Sequence, residues 1–142
     1  MTVRSNKEVY HLWVDAWNGD SRKVKDIAAE QCTIHQIRTD EESVTDKAGA
    51  EALKGIIDKA KVLFDRVSMT VDVGPIVEGE YVSARWTYSG NYLGGMPGAQ
   101  AEVGKRVAFS GNDMLRIKEG MITDYWVTSD GIHLLEQLEI VS

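Results

Sequence analysis

The chain has 142 residues, of which 43% are hydrophobic and 27% charged, as in a globular protein with one core, so we predict one domain spanning residues 1–142. A formal net charge of -6 argues against nucleic-acid binding, because phosphate recognition depends on clustered Lys and Arg. The single cysteine, Cys32, excludes an intrachain disulfide and a thiolate-rich zinc site, so we predict no metal. No apolar run approaches the roughly 20 residues of a membrane span. No signal peptide is recognisable, and we therefore expect a cytoplasmic protein.

The first half of the sequence has the periodicity of helices. Ser5 to Glu8 has the pattern of a capping box, and apolar residues from Val9 to Trp17 recur at i, i+3, i+4, i+7 and i+8. Further elements are predicted in this order: a short helix at 21–29, a strand at 32–37, a polar loop at 38–45 and a long helix at 46–64.

From residue 66 onward the chain is rich in Val, Thr, Tyr and Trp, as strands are. The pattern predicts strands at 68–77, 81–93, 107–117 and 121–128 and a last helix at 130–138. Short turns make consecutive strands antiparallel. Gly90 and Gly111 fall inside strands, where glycine often marks a bulge or bend. Helices followed by strands favour an α+β fold, in which a curved antiparallel or mixed sheet wraps around the N-terminal helices.

The segment 109–126, followed by 130–138, resembles the SnoaL-like polyketide cyclase branch of the nuclear-transport-factor-like superfamily. The helix 9–17 and the segment 33–35 resemble its opening helix and first strand. The resemblance implies a cone-shaped α+β barrel, usually a homodimer, with a pocket between sheet and helices. It also implies ring closure by intramolecular aldol condensation without metal or organic cofactor, so we predict no cofactor and a hydrophobic small-molecule ligand.

One position departs from the family. The resemblance places the acid/base aspartate of the cyclases three residues before Asp130, where this chain has Val127. It places the assisting histidine at about Asp113. Two functions stay open: a cyclase or isomerase acting on a hydrophobic carbonyl compound, and a non-catalytic small-molecule-binding or dimerisation module. Epoxide or ester hydrolysis is a third idea, and it requires further carboxylates or an Arg–Asp pair.

Asp113 and His35 are the candidate catalytic residues. Aspartate is disfavoured inside strands, and a carboxylate buried against apolar walls has the raised pKa that a general base needs. A strand histidine can serve as acid, base or hydrogen-bond donor, and a pair of His35 with Asp113 would join a base to an orienting group. The alternatives are structural: Asp113 bonding a cross-strand Arg or Thr or facing water, and His35 as a structural residue.

Large aromatic side chains are the candidates for binding the ligand, with core packing as the alternative. We favour Trp126, which belongs to the family-like segment, and add Trp86, Tyr88 and Trp17. Asp130 occupies a family motif position, but it also has the features of a helix N-cap.

Alternate residues of the strand 81–93 form a face of mixed polarity. This face predicts either a homodimer through the outer face of the sheet or a plain solvated surface.

Overall fold

The computed structural model describes residues 3–35 and 49–140. The predicted loop 38–45, the last two residues of the first predicted strand and the start of the predicted long helix lie outside the described residues. The elements in chain order are α1 (Asn6–Asn18), a 3-10 helix (Ser21–Asp26), β1 (Ala28–Ile34), α2 (Gly49–Leu63), β2 (Phe64–Glu78), β3 (Tyr81–Tyr92), β4 (Arg106–Lys118), β5 (Met121–Ser129) and α3 (Gly131–Gln137).

Helix α1 begins where the capping pattern predicts. The Ser5 hydroxyl accepts a hydrogen bond of 3.1 Å from the backbone N–H of Glu8, which satisfies one of the unpaired donors of the first turn. The predicted apolar stripe supplies most of the buried face of the helix. Tyr10, which lies outside that stripe, is also fully buried, and its hydroxyl therefore needs a partner in the interior.

The sheet has the strand order β1-β5-β4-β3-β2. The pairs β2–β3, β3–β4 and β4–β5 are antiparallel, whereas β1 and β5 pair in parallel. The inner face of the sheet and the buried faces of α1 and α2 supply the hydrophobic core. The predicted α+β fold, with N-terminal helices and a curved mixed sheet, is confirmed.

Two predicted boundaries are wrong. The second helix is a 3-10 helix that ends at Asp26, and the alanines predicted to close it begin β1 instead. Strand β2 begins at Phe64, which was predicted to end the long helix. Ala28 pairs with Ile122, and Phe64 pairs with Tyr92. Pairing with strands that are distant in sequence therefore overrides the helix propensity of residues such as alanine.

One of the two strand glycines lies at a bulge. The pairing of β2 with β3 shifts between Asp65 and Ser68, directly opposite Gly90, so the prediction is confirmed there and wrong at Gly111. The register between β3 and β4 is unbroken at both glycines, and two further shifts between β2 and β3 lie between Val71 and Ile76. Gly111 is required by lack of space, because a Cβ atom there would lie 2.4 Å from Cζ2 of Trp86. The missing side chain lets this indole lie against the strand.

We expect Gly111→Ala to lower the free energy of unfolding by at least about 2 kcal/mol. Its Cβ would lie 2.4 Å from the Trp86 ring and 2.5 Å from the carbonyl oxygen of Thr128, which is backbone. Gly55→Ala in α2 is the matched control, since nothing lies within 4 Å of its Cβ position. That change removes a helix-interior glycine and is expected to add roughly 0.5–1 kcal/mol. Urea unfolding at pH 7 measures both, and equal stabilities of the two variants would contradict the steric argument.

Candidate functional site

An internal pocket of about 160 Å³ lies among α1, α2 and the inner face of the sheet. Most of its lining is aliphatic or aromatic. The residues with polar atoms in this lining are Trp17, Trp86, Tyr88, Tyr125 and Ser129. No carboxylate, imidazole or ammonium group belongs to the lining among the described residues. A concave apolar cavity with few polar groups is typical of small-molecule sites.

Three donors of the pocket residues lack hydrogen-bond partners. They are Nε1 of Trp17, Nε1 of Trp86 and the hydroxyl of Tyr88. A buried polar group without a partner costs roughly 1–3 kcal/mol, and native proteins keep few of them. Burial also raises the pKa of the Tyr88 hydroxyl, which therefore stays protonated. Sequence reasoning predicted all three side chains as ligand contacts, and the structure places all three at the pocket.

Asp113 is buried next to this pocket without belonging to its lining. Its Oδ1 accepts a hydrogen bond of 2.7 Å from the Tyr125 hydroxyl. Its Oδ2 accepts bonds of 3.1 Å from the Tyr10 hydroxyl and 3.4 Å from Nε1 of Trp13. These partners replace the cross-strand Arg or Thr that the structural alternative anticipated. Tyr125 lines the pocket and also bonds Asp113, and it therefore links the two.

Burial raises the pKa of Asp113 to about 6, although hydrogen bonds from Tyr125 and Tyr10 oppose the shift. Trp86 also stabilises the carboxylate, but its Nε1 makes no hydrogen bond of good geometry. Burial and then the charge of Asp113 raise the pKa values of Tyr10 and Tyr125 well above their usual value. At neutral pH the aspartate is therefore mostly ionised, and both tyrosines are neutral donors.

His35 does not meet Asp113. Its Nε2 lies 2.9 Å from Oδ1 of Asp124, and its ring stacks on Trp126 with the centroids 4.7 Å apart. Neighbouring residues of a strand point to opposite faces, so Asp124 and Trp126 face away from Tyr125 and the buried carboxylate. The hypothesis of a His35–Asp113 pair is contradicted by this arrangement.

Two further predicted contacts lie outside the internal pocket. Trp126 lines a groove of about 330 Å³ on the outer face of the sheet, together with Met114. Asp130 takes the predicted N-cap position of α3, but its carboxylate makes no capping bond and instead lies 3.3 Å from a guanidinium nitrogen of Arg85. Trp126 and Asp130 therefore do not contribute to the internal pocket.

Sequence reasoning missed Tyr125, Tyr10 and Trp13. The sequence did contain evidence for Tyr125. Side chains alternate between the two faces of a strand, so Tyr125 and Val127 lie on the same face. If the family-like position 127 faces the pocket, then residue 125 faces it too, and Trp126 faces outward. Tyr10 and Trp13 are separated from Asp113 by about a hundred residues, and no local pattern predicts that contact.

The described part of the chain contains neither a candidate metal site nor a candidate membrane-spanning helix. Residues 3–35 and 49–140 contain no group of three or more His, Cys, Asp or Glu side chains arranged to hold a metal ion. Among the helices in the same residues, none is long and apolar enough to cross a membrane.

We expect the stability difference between the wild type and Asp113→Asn to depend on pH. The pKa of Asp113 lies above its usual 3.8 in the folded state, so folding favours the protonated form. Rising pH therefore costs the wild type stability between about pH 4 and pH 6, by roughly 3 kcal/mol relative to the variant, with a plateau above. Urea unfolding at several pH values measures the difference. A difference that is constant from pH 4 to 8 would show that the carboxyl titrates normally.

Solved structures share this fold. TsrD from Streptomyces laurentii is 23% identical, with a TM-score of 0.78 and coverage of 94% of each chain. IdmH from Streptomyces antibioticus, a candidate polyketide cyclase, is 20% identical with a TM-score of 0.81, covering 96% of this chain and 99% of its own. A protein from Catenulispora acidiphila with a ketosteroid isomerase-like fold is 18% identical, with a TM-score of 0.71 and 96% coverage of each chain.

The sequence itself gives the family. A comparison with curated proteins found no match. The sequence profile of the SnoaL-like polyketide cyclases, in contrast, matches residues 7–138, which is nearly the whole chain. This protein therefore belongs to the SnoaL-like polyketide cyclase family.

Proposed function

We propose that this protein is a cofactor-independent enzyme of the cyclase or isomerase type, acting on a hydrophobic small molecule that contains a carbonyl group. The observation that carries the proposal is the Asp113–Tyr125 pair, a carboxylate with a pKa of about 6 bonded to the hydroxyl of a residue in the pocket wall. A general base works best when its pKa lies near the working pH. Family membership and the apolar pocket support this class of substrate.

Removal of a proton next to a carbonyl group is the step that suits this pair. Burial keeps Asp113 from direct contact with a ligand, so the proton passes to the Tyr125 oxygen while the hydroxyl proton of Tyr125 moves to Oδ1 of Asp113. The electrons of the broken C–H bond form an enolate. The negative charge thus moves from Asp113 to the enolate oxygen. A concerted transfer avoids a free tyrosinate, which the raised pKa of Tyr125 disfavours.

A non-catalytic binding module of the same fold is the second candidate. Val127 contributes an apolar side chain to the pocket wall where the resemblance places the catalytic aspartate. The described lining residues also include no carboxylate or imidazole that would take a proton directly from a bound ligand. A module of this kind binds the same compounds without reaction, and a proton-exchange measurement separates the two candidates.

We expect the protein to accelerate exchange of the α-protons of 1-tetralone, a two-ring ketone, for deuterium in D₂O, followed by NMR. The rate should rise with pH, reach half of its maximum near pH 6 and level off about one pH unit higher, because only ionised Asp113 accepts a proton. Asp113→Asn and Tyr125→Phe should each lower the rate by about a hundredfold or more. Bound ketone without exchange above the buffer rate would favour the binding module.

The matched controls for this measurement lie on the outer face. His35→Ala and Asp124→Asn alter an ionisable pair of the same sheet, away from the internal pocket. Both are expected to exchange α-protons at the wild-type rate. A rate loss in His35→Ala comparable with that of Asp113→Asn would contradict the assignment of the chemistry to the inner face.

We also propose that two copies associate through the outer face of the sheet. This face exposes several large apolar side chains. Val73 and Ile76 of β2, Tyr81 of β3 and Met114 of β4 are each between 45% and 61% exposed. Val73 and Ile76 lie opposite outward-facing residues of β3, so these side chains share one face. An apolar face of this kind is typical of an interaction surface.

We expect sedimentation velocity to give a dimer for the wild type and a monomer for Met114→Lys, because the charge would be buried in the contact. Val62→Lys is the matched control, since it places the same charge at an exposed apolar position on α2. That variant should remain dimeric. A wild type that sediments as a monomer at high micromolar concentration would overturn the proposed contact.

A further inference from the structure

Tyr10 of α1 bonds the carboxylate of the proposed acid/base pair, although the proposed relay does not pass through it. Its hydroxyl donates to Oδ2 of Asp113 at 3.1 Å, whereas Tyr125 donates to Oδ1 at 2.7 Å. We propose that Tyr10 is a positioning residue, whose bond keeps Asp113 ionised to lower pH and leaves Oδ1 as the atom that takes the proton. This inference rests on the proposed function for its catalytic meaning, but the ionisation of Asp113 can be measured without turnover.

Neutral hydrogen-bond donors keep this carboxylate ionised against the cost of its burial. After burial, the largest influences on the pKa of Asp113 are the donors of Tyr125, Tyr10, Trp86 and Trp13, and each of them lowers it. Two of these donors are titratable, the hydroxyls of Tyr10 from α1 and Tyr125 from β5, and the indoles of Trp13 and Trp86 are not. None of the four is charged at neutral pH, so the ionisation of Asp113 depends on hydrogen bonds rather than on one of these groups acting as a counter-charge.

Tyr10 is the strongest of these donors that remains in place while the relay operates. In the proposed step Tyr125 gives its hydroxyl proton to Oδ1, so its own bond changes during the reaction. The bond from Trp13 is longer, at 3.4 Å, and Nε1 of Trp86 makes no hydrogen bond of good geometry. The hydroxyl of Tyr10, at 3.1 Å, therefore acts on the carboxylate before and after the proton moves.

The two α1 donors also determine which oxygen of Asp113 receives the proton. An indole N–H donates a hydrogen bond and cannot accept one. A proton on Oδ2 would therefore oppose the N–H of Trp13, whereas a proton on Oδ1 leaves both bonds to Oδ2 intact. The proton that arrives from Tyr125 stays on Oδ1, from which it can return by the same path.

Burial makes Tyr10 a permanent donor. The residue is fully buried on α1, and Asp113 is 3% exposed, so water does not compete for their bond. Burial and then the charge of Asp113 raise the pKa of the Tyr10 hydroxyl well above its usual value. The hydroxyl therefore keeps its proton at every pH at which the carboxylate titrates.

The ¹³C resonance of the Asp113 carboxyl, identified by its absence from Asp113→Asn, reports the ionisation without any substrate. The pKa of about 6 in the wild type should rise to about 7 in Tyr10→Phe, because a bond to the charged form is lost. Tyr92→Phe is the matched control, since this buried hydroxyl accepts its bond from the backbone N–H of Met96. An unchanged pKa in Tyr10→Phe, or an equal rise in Tyr92→Phe, would overturn the proposal.

Replacement of Tyr10 by 3-fluorotyrosine tests the same bond without removing it. Fluorine makes the phenol more acidic and thus a stronger donor, while the ring and the hydroxyl remain. The pKa of Asp113 should then fall below the wild-type value, which is the opposite direction from Tyr10→Phe. This variant also serves if Tyr10→Phe does not fold. A pKa at or above the wild-type value would contradict the assigned role.

The pH profile of α-proton exchange separates positioning from a purely structural role. With 1-tetralone, Tyr10→Phe should exchange roughly fivefold more slowly than the wild type at pH 6. At pH 8.5 the two rates should agree within about twofold, because Asp113 is then ionised in both proteins. An equal loss of rate at both pH values would assign Tyr10 a structural role only.

The two measurements distinguish this inference from the proposed enzyme. A raised pKa in Tyr10→Phe without exchange by the wild type overturns the catalytic proposal and supports the control of Asp113 by Tyr10. Exchange by the wild type with the same carboxyl titration and pH profile in Tyr10→Phe supports catalysis and overturns the role of Tyr10.

Discussion

One buried carboxylate joins the first helix to the sheet. Asp113 of β4 accepts hydrogen bonds from two residues of α1, Tyr10 and Trp13, and from Tyr125 of β5. Its desolvation is costly, and these bonds compensate for it only in part, because the pKa of the carboxyl remains raised to about 6. Loss of any one donor would leave the charge still less compensated. The orientation of α1 on the sheet is therefore tied to the position of this carboxylate.

The pocket depends on that same connection. Trp17 follows Trp13 by one helical turn, and their rings meet edge to face at 5.9 Å. The hydrogen bond from Trp13 to Asp113 fixes the position of α1. Trp17 on the same helix therefore lies at the pocket wall, where its ring contacts Tyr88 of β3. A shift of α1 would therefore move a pocket donor and a carboxylate donor together. The pocket wall and the buried Asp113–Tyr125 pair are parts of one packed unit.

The sequence predicted features that depend on neighbouring residues, but it did not predict contacts between residues that are distant in the chain. The capping pattern located the start of α1, and strand alternation separated the inner from the outer side chains of β3. The strand position of Asp113 left both burial and exposure to water open, and the structure buries it. The partners of Asp113 on α1 lie about a hundred residues away, however, and no periodicity connects them. The pairing of Ala28 with β5, which extended β1 into the predicted helix, is likewise a long-range contact.

Val127 and Asp113 explain how a charged group and an uncharged pocket exist side by side. The two residues pair directly across β4 and β5, so their side chains are neighbours on the inner face. The resemblance places the family's acid at residue 127, and this chain has an apolar side chain there and a carboxylate one strand away. The carboxylate no longer lines the pocket, but Tyr125 still connects it to the wall. Under the proposed function, this arrangement keeps a proton acceptor close to the ligand while the pocket wall stays uncharged. The proposed relay through Tyr125 is therefore compatible with a pocket wall that has no charged side chain among the described residues.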